Sequence, residues 1–409
     1  MKTLSAGIIV HIIIEVKMYQ TKLLFINLLT VCVLVFFTAC KNVEYNCNKS
    51  TFEKIEQVIC NYIEKWDYKP AISVSVFSKS QKLNYNYANG YSSISCKTKN
   101  EIQTPHFVYS ITKSFVATAI LKLKNEGKLS LEDSISKYIQ NINTIYINPN
   151  ATIKELLSHR SGISDYTENP ALIYNNPFSK TNDWNAQSIL SFIEKPSESS
   201  GNFLYSSTNY ILLGMIIEKI TNEAANVYVN QNLLSPMNIS VLLYPQDSVN
   251  LNKVAHPHCY PDTFMELSGD GKTPIDIAGI IPNVLELLGK CGWTAGGIVS
   301  TAEEISKWGY NLLSFNGSIE KELREEIKNS VSLFTDKNTG QIAYGYGIRN
   351  LFYKDFEFLG SYGRSIGDEN LMFYNKNKDV CIVILTSSNM KKDKTPNIDS
   401  LMYEIFECI

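Results

Sequence analysis

Strand-like runs stand at both ends of this chain and helical periodicity fills the middle, which leaves few ways to fold it. Ile72, Val74 and Val76 alternate with Ser73 and Ser75, and Leu83, Tyr85 and Tyr87 alternate with Asn84 and Asn86. Two period-two runs with polar residues between them predict a β-hairpin. Toward the other end, residues 342–352, 356–361, 370–374 and 380–386 are strand-like, with a polar turn from Asn375 to Asp379 between the last two. Phe52 to Trp66 and residues 398–408 carry helical spacing, and residues 111–330 are mostly helical in pattern. One antiparallel sheet assembled from both chain ends buries all of these faces most economically. The expected class is therefore α/β: that sheet, flanked by the terminal helices, with an inserted, mostly helical subdomain over roughly residues 127–330.

Composition fits a folded chain. Of 409 residues 44% are hydrophobic and 19% charged, with a net charge of −2, so disorder has no basis. The only arginines are Arg160, Arg324, Arg349 and Arg364, and no long basic stretch exists, so no nucleic-acid partner is expected. The nine cysteines lack zinc-like spacing, and no essential disulfide framework is expected in a chain of this size. His256-Pro257-His258 reads as a loop rather than a metal site, because no third ligand is nearby in sequence. Gly269-Asp270-Gly271 reads as a turn, not a phosphate loop. No metal or organic cofactor is expected.

The first forty residues look like an address. Lys22 precedes an apolar stretch from Leu23 to Phe37, and Thr38-Ala39 leads to Cys40. That order predicts a bacterial lipoprotein signal over residues 1–39, with Cys40 as the lipidated residue; the alternative is a plain membrane-anchor helix. Met18 is a better start than Met1 in this reading. Residues 40–51 would form a tether and 52–409 the folded domain, at the cell envelope and facing outside the cytoplasm.

Chemistry begins at Ser110. Ile111, Phe115, Val116, Ala119, Ile120 and Leu123 recur at helical intervals up to Glu126, with Gly127 as the stop. Ser110 then opens the helix, with Lys113 one turn on and on the same side. The helix N-terminus offers free amides to a developing oxyanion, and an amine shielded from water can act as base toward a serine hydroxyl. Ser-x-x-Lys also occurs at Ser134, Ser318 and Ser388, so spacing alone says little. Ser110 differs in that its lysine begins a long apolar helix. A second polar loop, Gly201 to Tyr210, runs into an apolar helix and carries Tyr205, which could shuttle a proton near Lys113. Equally, Tyr205 is one of 24 tyrosines and could merely pack.

Five blocks in order resemble the serine β-lactamase-like family, which includes class C β-lactamases, D-alanyl-D-alanine carboxypeptidases and related esterases. They are Tyr109-Ser110-Ile111-Thr112-Lys113-Ser114, Leu156 to Ile163, Tyr205 to Tyr210, Gly292 to Thr301, and Gly345-Tyr346-Gly347. The resemblance covers roughly residues 52–409 and implies a β-lactamase/transpeptidase-like fold. It implies Ser110 as nucleophile, Lys113 as its base and Tyr205 as proton relay. His159 falls in a segment that is structural in the family.

Two departures shape the expected chemistry. The family usually has Asn where Ser207 stands, and Lys or His where Ser361 stands. Gly363 keeps its glycine, and the amide of Arg364 falls where the second oxyanion donor is expected, with its side chain entering or rimming the pocket and Tyr362 lining the entrance. A hydrogen bond to a charged group contributes about 1.5–3 kcal/mol, roughly ten- to a hundredfold in binding, so losing a cation at 361 weakens recognition of a substrate carboxylate. The expectation is a lipid-anchored, monomeric serine hydrolase that acts on a small-molecule or peptidoglycan-like acyl substrate. Esterase or cell-envelope peptidase activity is favoured over β-lactamase activity. The alternatives are a catalytically weak binding or sensing lipoprotein of the same fold, and a tethered structural protein in which Ser110 and Lys113 are incidental.

Overall fold

The computed structural model describes residues 50–66, 68–142, 145–169, 171–174, 184–198, 200–243, 250–259, 274–281, 283–336, 340–388 and 397–409. The leader with Cys40, most of the tether and the Gly269-Asp270-Gly271 turn lie outside them. Among the described residues no helix is long and apolar enough to cross a membrane.

An eight-stranded antiparallel sheet forms from both ends of the chain. Its strands are β1 (Ile72–Ser78), β2 (Leu83–Asn89), β3 (Ser332–Asp336), β4 (Gly340–Tyr344), β5 (Arg349–Tyr353), β6 (Phe356–Ser365), β7 (Asp368–Asn375) and β8 (Val380–Thr386). Their order is β3-β4-β5-β6-β7-β8-β1-β2, so β1 from the first hairpin closes on β8 with Ile72 opposite Thr386. Six helices matter here: α1 (Thr51–Ile63), α2 (Thr112–Asn125), α3 (Thr208–Thr221), α4 (Val284–Gly296), α5 (Ala302–Leu313) and α6 (Ile398–Cys408).

The central strands are apolar on both faces, and each face has its own cover. Ile55 and Ile59 of α1 and Leu401 and Ile405 of α6 pack with Val74, Leu371, Phe373 and Ile384 on the outer face. On the inner face Trp308 of α5 and Phe115 of α2 stack with ring centroids 3.9 Å apart and join Met372 and Val383. This inner core continues into the helical region around α2, α3 and α4.

The sequence reading and the structure differ in detail. Residues 342–352 form two strands rather than one, because Gly347 turns the chain at φ 72°. A side chain there would lie 2.6 Å from the Lys113 carbonyl oxygen, so this turn closes directly on the first turn of α2. Edge strand β3, which had no clear alternation, pairs with β4. Small pairings, such as His106–Phe107 with Ile298–Ser300, stitch the segment before Ser110 to the segment after α4.

Candidate active site

Helix α2 is buried nearly all round, from Thr112 to Leu121. It stops where Gly127 takes φ 71°, with the amides of Gly127 and Lys128 donating to the Lys124 and Leu123 carbonyls, a Schellman-type end. A short 3₁₀ turn, Tyr109–Ile111, precedes it and holds Ser110 half-buried at its mouth. Lys113 is fully buried on the first turn. Its amine donates to Ser110 Oγ at 2.9 Å and to the Ala295 carbonyl at 2.8 Å. That carbonyl comes from the kinked end of α4, where Trp293 leaves helical geometry at φ 33°, ψ −124°.

The helical region supplies the third group. The Tyr205 hydroxyl donates to Ser110 Oγ at 2.8 Å. Tyr205 lies two residues before Ser207, which immediately precedes α3, and the Ser207 amide donates to Asp165 Oδ2 at 2.9 Å. The Ser207 hydroxyl has no partner among the described residues. Behind Tyr205 stands His159, fully buried, its ring centroid 4.2 Å away. Its Nδ1 accepts the Ser206 amide at 3.1 Å, and its Nε2 lies 3.3 Å from the Tyr344 hydroxyl. Burial, then the nearby Lys113 charge, pushes the His159 pKa well below the ordinary histidine value. A neutral His159 with Nδ1 as acceptor donates through Nε2 to Tyr344.

Strand β6 forms the opposite wall. A Cβ at Gly363 would lie 2.0 Å from the Val108 carbonyl oxygen, so the strand touches the turn that carries Ser110. Strand β5 pairs with residues 356–360, so among the described residues the stretch from Ser361 to Ser365 has a sheet neighbour, β7, on one side alone. Ser361 is buried opposite Met372 on the inner face.

The Arg364 and Tyr362 side chains correct the expectation made for them. Successive residues of a strand face opposite ways, so with Ser361 and Gly363 inward, Tyr362 and Arg364 point outward. Tyr362 packs on Phe373 and donates to Asp399 Oδ1 at 2.6 Å. The Arg364 guanidinium rests on the Tyr362 ring and pairs with Glu369 at 2.8 Å. Neither side chain lines the site.

Sequence reasoning did not single out Tyr109. This bulky residue immediately before Ser110 sits at φ 45°, a conformation that costs on the order of 1–3 kcal/mol without glycine. Its buried hydroxyl donates to Asp368 Oδ2 at 2.5 Å. Burial raises the Asp368 pKa well above the ordinary carboxyl value, although the hydrogen bond from Tyr109 opposes the shift. The Ala295 carbonyl and Asp165 were equally invisible, since a backbone oxygen or a lone aspartate has no distinctive spacing.

His256 and His258 lie elsewhere and converge on Asp276, at 2.9 and 3.8 Å. Burial would raise the Asp276 pKa, but hydrogen bonds from His256, His258, Ser95 and Ser93 outweigh it and hold the carboxyl well below the usual range. Among the described residues no group of three or more histidine, cysteine, aspartate or glutamate side chains is placed to hold a metal ion.

An antiparallel sheet drawn from both chain ends, with a Ser-x-x-Lys turn between sheet and helical region, defines the β-lactamase/transpeptidase class of fold. The beta-lactamase family model matches residues 62–401, and the chain belongs to that family of serine hydrolases. Protein flp of Staphylococcus aureus (strain N315) is 32% identical over 209 residues, half of this chain and 40% of that protein. The chain thus spans about two fifths of the length of the first curated relatives it matches. Among solved structures, D-amino acid amidase from Ochrobactrum anthropi SV3 complexed with D-phenylalanine superposes with a TM-score of 0.74 at 19% identity, over 88% of this chain and 98% of that one. A penicillin-binding protein from Bacillus halodurans gives 0.65 at 18% identity, over 88% and 100%.

Proposed function

We propose that the protein is an acyl hydrolase that attacks an ester or amide carbonyl through an acyl-enzyme on Ser110. The convergence of the Lys113 amine and the Tyr205 hydroxyl on Ser110 Oγ, within 2.9 Å each, carries this reading. Lys113 in its uncharged form takes the hydroxyl proton as Oγ bonds to the carbonyl carbon. The oxyanion faces the amides of Ser110 and Arg364. As the tetrahedral intermediate collapses, the bond to the leaving group breaks, and Tyr205 relays the proton to that group. Water then adds to the acyl carbon, and its proton passes through Tyr205 to Ser110 Oγ as the ester bond to Ser110 breaks.

The substrate class follows from charge. Ser361 offers no cation on the inner face, and Arg364 is turned outward and paired with Glu369. A neutral ester or amide next to the scissile bond suits this wall better than a free carboxylate, so esterase or amidase-type peptidase chemistry is favoured over β-lactam hydrolysis. The likeness to a D-amino acid amidase supports the same side of that choice. The lipid anchor at Cys40, an extracytoplasmic envelope location, a peptidoglycan-like natural substrate and a monomeric state are parts of this proposal that rest on the sequence.

A second reading, a binding or sensing protein of this fold, is favoured by Ser207 and Ser361, the two departures from the family pattern. Hydrolysis of p-nitrophenyl acetate or butyrate, with Ser110→Ala as control, separates the two. Turnover lost in the variant supports the hydrolase; equal background in both proteins overturns it.

A further inference from the structure

The geometry points to Tyr109 and Asp368 as a positioning pair: their hydrogen bond holds residue 109 in its left-handed turn and so aims Ser110 Oγ at the substrate carbonyl. This inference rests on Ser110 being the nucleophile.

Four observations carry it. Tyr109 adopts φ 45° immediately before Ser110, and no glycine relieves that conformation. Such strain persists only where surrounding contacts over-determine it. The Tyr109 ring is buried in an apolar cluster with Val254, Val284, Leu285 and Val299, and its hydroxyl hydrogen-bonds Ser365 as well as Asp368. The Tyr109 hydroxyl donates to Asp368 Oδ2, and its ring lies beside Phe107 with centroids 5.9 Å apart. Asp368 opens β7 opposite Ser365, at the tip of the hairpin whose other strand carries Ser361 and Gly363. Two residues along β7, Asn370 Nδ2 donates to the Phe107 carbonyl at 2.9 Å. Asp368 and Asn370 share one strand face and grip the chain at residues 107 and 109. The hairpin and the nucleophile turn are thereby fixed to each other, which also sets the gap between Ser110 and the Arg364 amide.

A phenol donated to a fully buried carboxyl is an expensive way to fill space, since apolar side chains of the same shape would pack without a hydrogen-bond requirement. Its presence beside the strained residue is accounted for by placement of Ser110. A misplacement on the order of 1 Å at a reacting atom can cost a hundredfold in rate.

The test is the rate of covalent labelling of Ser110 by a fluorophosphonate in the full-length protein, read beside KM and kcat for p-nitrophenyl butyrate and the thermal midpoint. Tyr109→Phe keeps the ring and removes the donor. It should lower the labelling rate and kcat by at least about tenfold while KM changes less than about threefold. Asp368→Asn keeps an acceptor and should hold labelling within about threefold of wild type, whereas Asp368→Ala should lower it toward the Tyr109→Phe rate, with Ser365 left as the remaining partner of the Tyr109 hydroxyl. A merely structural pair would lower the thermal midpoint and leave the labelling rate of the folded protein unchanged; that result overturns the inference. Should Tyr109→Phe not fold, equal labelling rates in Asp368→Asn and Asp368→Ala overturn it in its place. Absence of labelling in the wild type would overturn the Ser110 acyl-enzyme itself, and this inference with it.

Discussion

The Tyr205 hydroxyl lies 2.8 Å from Ser110 Oγ across a sequence separation of 95 residues. The two residues come from different parts of the fold, the loop before α3 and the turn before α2. Their meeting makes the role of each group separately testable. Ser110→Ala should abolish ester turnover. Lys113→Ala and Tyr205→Phe should each lower kcat/KM by about 10²–10⁴. Tyr205→Phe should leave the thermal midpoint nearly unchanged, and Lys113→Ala should lower it, because it opens a hole in a fully buried position. Steady-state kinetics and thermal unfolding of the three variants check this.

Strand β6 should tolerate no side chain at its point of contact with the Ser110 turn. A Gly363→Ala methyl would lie 2.0 Å from the Val108 carbonyl oxygen, a backbone atom that has no rotamer to yield. The expected cost is about 1–3 kcal/mol, with a loss of acylation beyond what the fraction unfolded explains. Denaturant midpoints together with fluorophosphonate labelling rates read both.

A cation restored at position 361 should change substrate preference. Ser361 is buried on the inner face, so Ser361→Lys adds an ammonium where the wall is uncharged. The ratio of kcat/KM for a carboxylate-terminated peptide to that for a neutral ester should rise by roughly ten- to a hundredfold. An unchanged ratio would show that this wall does not meet the substrate.

Acid should weaken the fold through His106. Its pKa is lowered to about 3 by burial, its Nε2 is 3.1 Å from Ser73 Oγ, and its Nδ1 has no hydrogen-bond partner among the described residues. An unfolded histidine titrates near its ordinary value of about 6.5. Between the two values the unfolded state binds one more proton than the native state, so His106 costs stability as the pH falls. The slope is about 1.4 kcal/mol per pH unit. His106→Asn should lose less stability than wild type between about pH 6.5 and 5, as read from urea midpoints.

The lipid anchor has its own test. Palmitate incorporation by cells expressing the full chain should vanish in Cys40→Ala, and the protein should move from the membrane fraction to the soluble one. Persistence at the membrane without labelling would favour the plain anchor-helix alternative.

Much of the fold was legible because its signals are local. Alternation in residues 72–76 and the continuous apolar run at 380–386 need only neighbouring residues to declare a strand, and Gly127 marks the end of α2 by itself. Strand β3 was not legible, because Leu333 is exposed and no alternation marks an edge. The outward turn of Arg364 was available in principle: once Gly363 faces the site, the period of two sends its neighbour away. The Tyr109–Asp368 contact was not, since it joins residues 259 positions apart and Asp368 belongs to no spaced motif.

The sequence by itself determined that a Ser-x-x-Lys pair opens a buried helix, and that the sheet takes strands from both ends of the chain. Both follow from the spacing of apolar side chains along one segment. Tertiary structure alone decided that the Tyr205 hydroxyl meets Ser110, that the Ala295 carbonyl meets Lys113, and that Asp368 meets Tyr109 in the turn before it. Those partners lie far apart in sequence, and only the kink at Trp293, the register of β6 on β7 and the packing of α2 against α3 bring them within hydrogen-bonding reach.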